Sequence, residues 1–286
     1  MNTQKVWFVT GASKGLGLTL VKKLLEEGYK VAATSRNLKA LIAEVGEQTT
    51  NFLPLQVDLV NEPSVQKAIA ETMQRFDAID VVVNNAGYGQ IGTLEELSDK
   101  EARQNFDINV FGSLNVIRNV MPHLREQQSG AIFNISSIGG FAGNFPGWGI
   151  YCATKFAVAG FTESLAAEAK AFGISATVVY PGYFRTGFLT QESMGSPANP
   201  IDAYEDARAS QAMHENDING NQMGDPEKAA AVLIEIAESV NPPLHLFLGQ
   251  DAYDFAKVKI EAVQKDMSVM EELATSTAFE EVMTNN

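Results

Sequence analysis

Val6-Trp7-Phe8-Val9-Thr10-Gly11-Ala12-Ser13-Lys14-Gly15-Leu16-Gly17 passes from a β-rich apolar run into a turn holding three glycines. Leu16, Leu20, Val21, Leu24 and Leu25 then recur at helical spacing, and Gly28 follows as a C-terminal stop. A strand, a glycine turn and a helix, in that order, let backbone N–H groups approach a pyrophosphate at the helix N-terminus. The spacing Gly11-x-x-x-Gly15-x-Gly17 differs from the G-x-G-x-x-G fingerprint, and glycines also serve tight turns and helix packing. Its place as the first strand–helix turn of the chain favours the phosphate-binding reading.

Outward from this turn, strand-like runs cover Val31–Thr34, Phe52–Val57, Ile79–Asn84, Ala131–Ser136 and Ala176–Tyr180. Helical patterns run between them, through Leu41 and Val45, over Glu62–Phe76, from about Ser98 to Met121, and over about Tyr151–Phe172. Such regular alternation implies right-handed βαβ crossovers. It predicts an α/β fold of Rossmann type, a doubly wound parallel sheet flanked by helices. From Phe184 to about Gly224 the pattern breaks into polar, irregular sequence with Pro197 and Pro200. Asp225-Pro226-Glu227 then starts a helix that runs to about Ser239, and His245–Leu248 is a last strand. The expectation is a single catalytic domain over residues 1–250, with a substrate lid at about 184–225. Residues 251–286 are expected to form a helical, amphipathic extension in which Met267, Met270, Leu273, Phe279 and Val282 cover the core or a partner subunit, the alternative being an exposed, solvated helix.

Composition removes several classes of function. The chain has 286 residues and a formal net charge of −14, which argues against nucleic acid, since phosphate binding needs a basic face. Apolar runs such as Val81–Val83 and Ala229–Ile234 are far shorter than the roughly 20 residues of a membrane span. Met1 to Lys5 lacks the pattern of a signal peptide. Cys152 is the only cysteine, so no intrachain disulfide forms, and a cytoplasmic, reducing setting is the simplest home. His123, His214 and His245 are scattered without ligand spacing, and no metal site is expected.

An NAD-selective site usually places an acid at the end of the second strand, where it holds a ribose hydroxyl. Here that position reads Thr34-Ser35-Arg36. Arg36 suits a 2′-phosphate through a charge-assisted contact, and Lys14 in the turn adds a second positive charge. NADP(H) is expected ahead of NAD(H), with Gly11, Ser13, Lys14, Gly15, Leu16, Gly17, Ser35 and Arg36 as candidate cofactor residues. The alternative is that both cations are ordinary solvated surface groups.

Five ordered signals resemble the short-chain dehydrogenase/reductase family over nearly the whole length up to about Gly249. They are Thr10–Gly17, Asn84-Asn85-Ala86-Gly87, Ser136-Ser137, Tyr151-Cys152-Ala153-Thr154-Lys155 and Pro181-Gly182. The runs Gly147–Ile150 and Phe156–Val158 are similar to a subgroup with hydroxysteroid-dehydrogenase-like members. Tyr151 and Lys155 lie four apart and so share a helix face. A free tyrosine has a pKa of about 10, and a nearby ammonium favours its phenolate. Tyr151 then suits proton donation to a carbonyl, or proton removal from an alcohol. Alone, such a pair is an ordinary feature of helix surfaces.

The resemblance implies further roles. A serine upstream orients the substrate oxygen. The family pattern points to Ser137, although Ser136 adjoins it and only one of the two should face the site. Asn109 matches a fourth catalytic residue that supports a helix kink and a water relaying protons to the lysine; otherwise its side chain bonds to nearby backbone. Asn85, Ala86 and Gly87 would lie along the cofactor, with Asp58 at the adenine edge. Pro181 and Gly182 would begin a loop at the nicotinamide carboxamide, with Thr186 hydrogen-bonded to that amide. Family members are commonly dimers or tetramers, so a homodimer or homotetramer is expected.

Phe141, Phe145, Trp148, Tyr183, Phe184 and Phe188, with Met194, Met213 and Met223 in the lid, suit a hydrophobic small-molecule carbonyl or alcohol substrate. Cys152 reads as a small core residue. Two rival activities share these motifs: a non-catalytic nicotinamide-dependent redox sensor, and an epimerase of the same fold.

Overall fold

Short β-branched runs in this chain are apolar on both faces, which suits strands buried between two helical layers. The computed structural model describes residues 4–279. Its elements are β1 (Val6–Val9), α1 (Gly15–Glu26), β2 (Lys30–Ser35), α2 (Leu38–Val45), β3 (Phe52–Gln56), α3 (Glu62–Phe76), β4 (Val81–Asn84), β5 (Gly89–Gln90) and α4 (Asp99–Phe106). These continue with α5 (Gly112–Gln127), β6 (Gly130–Ile135), α6 (Gly149–Ala169), β7 (Ile174–Pro181), β8 (Met194–Gly195), α7 (Glu205–Ala212), α8 (Pro226–Glu238), β9 (His245–Leu248) and α9 (Gln250–Thr275).

Seven strands form one parallel sheet in the order β3-β2-β1-β4-β6-β7-β9. The order reverses between β1 and β4, and ligands of open α/β sheets bind beyond the strand ends at such a point. One apolar layer packs α3 and α5 on the sheet through Val65, Ile69, Val116 and Val120. The other packs α1 and α8 through Leu20, Leu24, Ala230 and Leu233. Pro54 sits in β3, an edge strand, where a missing N–H is tolerated. Among the described residues, no helix is long and apolar enough to cross a membrane.

The helix expected from Ser98 to Met121 is interrupted. Ser98 caps α4 in a reciprocal capping box with Glu101, and the helix then widens into a π segment over Asp107–Phe111 before α5 resumes. Asn109 lies in that segment. The irregular stretch after β7 is more ordered than its composition suggested. It holds β8, which pairs with β5 in a separate two-stranded sheet, and α7, followed by a second π segment over Met213–Ile218. The amphipathic extension is α9. Val282, assigned to it above, lies outside the described residues.

Candidate active site

The C-terminal ends of β1, β2, β4, β6 and β7 open on one cavity of about 910 Å³. Gly11 (φ +66°) and Gly15 (φ +60°) shape the turn into α1 in the left-handed region that glycine tolerates. A side chain at Gly11 would fall 2.7 Å from the Ala86 Cα, so the turn and the β4 loop approach backbone to backbone. Asn85 locks that approach, donating from its backbone N–H to Thr10 Oγ1 (3.0 Å) and from Nδ2 to the Thr10 (2.9 Å) and Gly11 (3.1 Å) carbonyls.

Helices α2, α3, α4 and α8 all start on a side-chain cap, from Asn37, Asn61, Ser98 and Asp225 respectively. In contrast, α1 has Lys14 at its N-cap position, with no side-chain cap and no acidic residue in its first turn. Its orphan N–H donors and positive dipole end therefore stand beside Gly15 and Leu16 in the cavity wall. Ser13, Lys14, Ser35, Arg36, Asp58, Ala86, Gly87, Pro181, Gly182 and Thr186 line the same cavity. Ser35 Oγ donates to Ser13 Oγ (3.0 Å), and Lys14 Nζ donates across to the Glu192 carbonyl (3.0 Å). Gly17 is an exception among the turn residues. It does not line the cavity, and a side chain there would meet Asn85 Nδ2 at 2.4 Å, so its smallness serves packing.

Tyr151, Lys155 and Ser137 line the cavity beyond the glycine turn. Both Tyr151 and Lys155 are buried on α6, one turn apart. Lys155 Nζ donates to the Ile135 carbonyl (2.9 Å), and burial lowers its pKa to about 8. Burial drives the Tyr151 phenol well above its ordinary value, while its hydrogen bond with Ser137 offsets part of that rise. Ser136 borders the cavity as well, but its hydroxyl is committed to α6. Its Oγ donates to the Lys155 carbonyl (2.8 Å) and ties β6 to α6, whereas Ser137 Oγ caps the Ile138–Gly140 turn by accepting from Gly139 N–H (3.1 Å).

Asn109 is drawn to this cluster without lining the cavity. Its Oδ1 accepts from Tyr88 N–H (3.0 Å), and its Nδ2 donates to the Tyr88 carbonyl (3.1 Å) and to Thr154 Oγ1 (3.1 Å). The side chain is thus committed to neighbouring backbone and to α6. A side chain at Gly87 would lie 3.0 Å from Asn109 Oδ1 and 3.4 Å from Lys155 Nζ, so these two groups flank the β4 loop closely at this glycine.

The profile of the short chain dehydrogenase family matches residues 5–196. The chain belongs to the short-chain dehydrogenase/reductase family. Oxidoreductase BOA17 of Botryotinia fuckeliana is 33% identical over 96% of this chain and 99% of that protein. The 3-ketodihydrosphingosine reductase of Bacteroides thetaiotaomicron is 34% identical over 86% of this chain and 88% of its own. A short-chain dehydrogenase from Streptomyces avermitilis superposes with a TM-score of 0.87 at 32% identity, covering 98% of this chain and 100% of that one. ElxO with NADP bound superposes with a TM-score of 0.70 at 28% identity, over 86% of this chain and 97% of ElxO.

Beside the motifs of a short-chain dehydrogenase/reductase, this member carries a polar pair that motif reading missed. His214, in the second π segment, is buried against Trp148 (ring centroids 4.8 Å apart) and lines the cavity. Its Nδ1 lies 2.7 Å from the Ser210 carbonyl, a pure acceptor, so Nδ1 carries the proton and Nε2 accepts from Tyr183 OH at 2.9 Å. Burial lowers the His214 pKa and raises that of Tyr183 to about 12, which keeps both neutral. No spacing rule joins positions 183 and 214; only the fold of the intervening segment does.

The expected apolar lining is corrected in part. Phe145, Trp148, Tyr183, Phe184 and Phe188 line the cavity. Phe141 instead packs edge-on against Tyr180 and Phe247, on the far side of the 138–140 turn. Met213 and Met223 are exposed, and Met194 packs in the aromatic cluster behind the wall. Cys152 is buried as expected for a core residue, and it lines the cavity as well. Among the described residues, no group of three or more His, Cys, Asp or Glu side chains is placed to hold a metal.

Proposed function

We propose that this chain is an NADP(H)-dependent oxidoreductase that interconverts a carbonyl and a secondary alcohol, with Tyr151 as general acid/base. The observation that carries the proposal is a convergence. Ser137, Tyr151 and Lys155 open on the same cavity as an uncapped, acid-free helix N-terminus. That donor set fits a nicotinamide dinucleotide: Gly11, Ser13, Gly15 and Leu16 would hold the pyrophosphate, and Ser35 and Arg36 the ribose end. Lys14 would add charge beside them, with Asp58 at the adenine. Asn85, Ala86, Gly87, Pro181, Gly182 and Thr186 would bound the nicotinamide side. The cofactor, when bound, supplies or accepts the hydride.

The remaining chemistry belongs to the chain. Ser137 Oγ orients the substrate oxygen toward Tyr151, whose Oη gives up its proton as that oxygen becomes an alcohol. Lys155, buried beside the ring, supplies a positive charge that stabilises the phenolate left behind. Asn109 acts at one remove, fixing the π segment and the Tyr88 backbone against α6. Phe145, Trp148, Phe188 and Leu189 surround Tyr151 with apolar surface, which suits an apolar substrate. The Bacteroides relative, named as a reductase of 3-ketodihydrosphingosine, agrees with a ketone in that place. The segment at about 184–225 serves as the lid, and the single thiol fits action in the cytoplasm.

The test is a panel of apolar ketones and aldehydes, assayed with NADPH and NADH for the wild type and for Arg36→Asp. Wild type should turn over at least one ketone faster with NADPH. A charge-assisted contact is worth about 1.5–3 kcal/mol, so Arg36→Asp should shift the cofactor preference toward NADH by about 10- to 100-fold. Tight NADPH binding with no turnover across the panel would leave a redox sensor instead. An unchanged cofactor ratio in the variant would remove Arg36 from the site.

The buried lysine predicts a pH dependence. With a folded pKa of about 8, Lys155 is charged below that pH and neutral above it. Reduction needs a protonated Tyr151 and a charged Lys155. The kcat/KM for ketone reduction should therefore hold level through neutrality and fall as pH rises through about 8. A profile that climbs through the same range would contradict this assignment.

A further inference from the structure

Tyr183 and His214 place a chemical demand on whatever fills the cavity. Both line it, Tyr183 just past the end of β7 and His214 from the second π segment. The aromatic rings run from Tyr151 to Trp148 (centroids 5.5 Å apart), on to His214 (4.8 Å) and then to Tyr183 (5.7 Å). The pair therefore stands on the wall that continues from the reacting centre, with the Trp148 indole between His214 and Tyr151.

Hydrogen-bond counting at Tyr183 fixes the polarity of that wall. A phenol has one proton to give and lone pairs with which to accept. His214 Nδ1 donates to the Ser210 carbonyl (2.7 Å), so Nε2 carries no proton and takes the one from Tyr183 OH at 2.9 Å. Tyr183 Oη has only lone pairs left to offer. An apolar pair would fill this corner without desolvating two polar groups, so packing alone gives no reason for these residue types.

We infer that the substrate of this chain carries a hydroxyl apart from its reacting carbonyl, donated to Tyr183 Oη, with His214 imposing the donor requirement by holding the Tyr183 proton. The placement rests on the reading of the cavity as a site of carbonyl reduction. An ether oxygen, a halogen or a second carbonyl would set lone pairs against lone pairs. An ammonium could donate, but it would shed its hydration for a neutral acceptor. Phe145, Trp148, Phe188 and Leu189 supply apolar surface around Tyr151. The substrate class is therefore a hydroxyketone whose two oxygens are joined by an apolar spacer, and Tyr183 and His214 determine specificity for it.

The test pairs straight-chain ketones of stepped length that end in a hydroxyl with the same ketones ending in fluorine, which is close to hydroxyl in size and cannot donate. Binding to the full chain with NADP⁺ present is measured by calorimetry, and reduction by NADPH consumption. At the best length the hydroxyketone should bind about tenfold tighter than its fluoro counterpart, as one hydrogen bond allows. The ratio is taken within each protein, so a general loss of affinity cancels. In Tyr183→Phe it should fall to near one. His214→Gln should keep it, because the glutamine Oε1 can accept the Tyr183 proton in place of Nε2. A pair that only tied the lid to β7 would change both ligands alike. A wild-type ratio near one at every length overturns the inference, as does a ratio that survives in Tyr183→Phe. Reduction of both ketone series without preference defeats this inference and leaves the proposed activity standing. Hydroxyl-selective binding without any reduction supports the Tyr183–His214 subsite and defeats the activity instead.

Discussion

Tyr151→Phe is expected to lower kcat for ketone reduction by about 10³-fold while leaving cofactor binding and stability close to wild type. General acid catalysis by a positioned group contributes roughly 10²–10⁴ in rate, and the substitution removes the group while keeping its shape. The phenyl ring can still pack at an angle on Trp148 (ring centroids 5.5 Å apart) and near Phe188 (5.9 Å). The lost hydroxyl sits in surroundings whose burial already penalises its charged form, so its removal leaves no ion stranded. Three measurements separate this from a structural effect: single-turnover rates, NADPH titration by fluorescence, and thermal melting. A rate within tenfold of wild type would end the case for Tyr151 as the proton donor. A variant that loses both rate and NADPH binding would instead mark Tyr151 as a cofactor-positioning residue.

Much of this site could be read before the fold was known, and the reason is local. Gly11, Gly15, the Tyr151–Lys155 spacing and the Asn84–Gly87 run express backbone constraints that sit within a few residues of one another. The alternation of strand and helix carried the sheet for the same reason, since periodicity is a property of short windows. What stayed hidden depends on distant partners. Ser136 and Ser137 are adjacent and chemically identical, and only the approach of α6 assigns Ser136 to the Lys155 carbonyl. The widening at Asp107–Phe111 leaves no mark in the apolar pattern. Two-residue strands such as β5 and β8 are too short to show alternation, yet their pairing ties the 184–225 segment to the β4 loop. Gly17 looked like a ligand glycine because of its place in the motif, and its contact with Asn85 could not be inferred from the turn alone.

The same distant packing makes Gly140 the position where one methyl group should do the most damage. A side chain there would lie 2.2 Å from Ser136 Oγ, 2.6 Å from the Lys155 carbonyl oxygen and 2.7 Å from its carbon. Ser136 can rotate, but the Lys155 backbone is the body of α6 and cannot yield without moving the helix. Gly140→Ala therefore has to break the Ser136–Lys155 bond and push α6 away from the 138–140 turn. Overpacking costs about 1–3 kcal/mol and an unsatisfied buried group about as much again, so a loss of about 2–5 kcal/mol is expected. For a chain of this size that is a fall in Tm of roughly 5–15 °C. Turnover should drop further than stability implies. The turn carries Ser137 and the helix carries Tyr151 and Lys155, and a misplacement of about 1 Å can cost about 10² in rate. Gly160, on the same helix, is the control. A side chain there meets nothing within 4 Å, so Gly160→Ala should stabilise by about 0.5–1 kcal/mol through helix propensity and leave activity unchanged. If Gly140→Ala melts and turns over like the wild type while Gly160→Ala behaves as expected, the spacing between the serine turn and α6 is not what holds these three side chains in register.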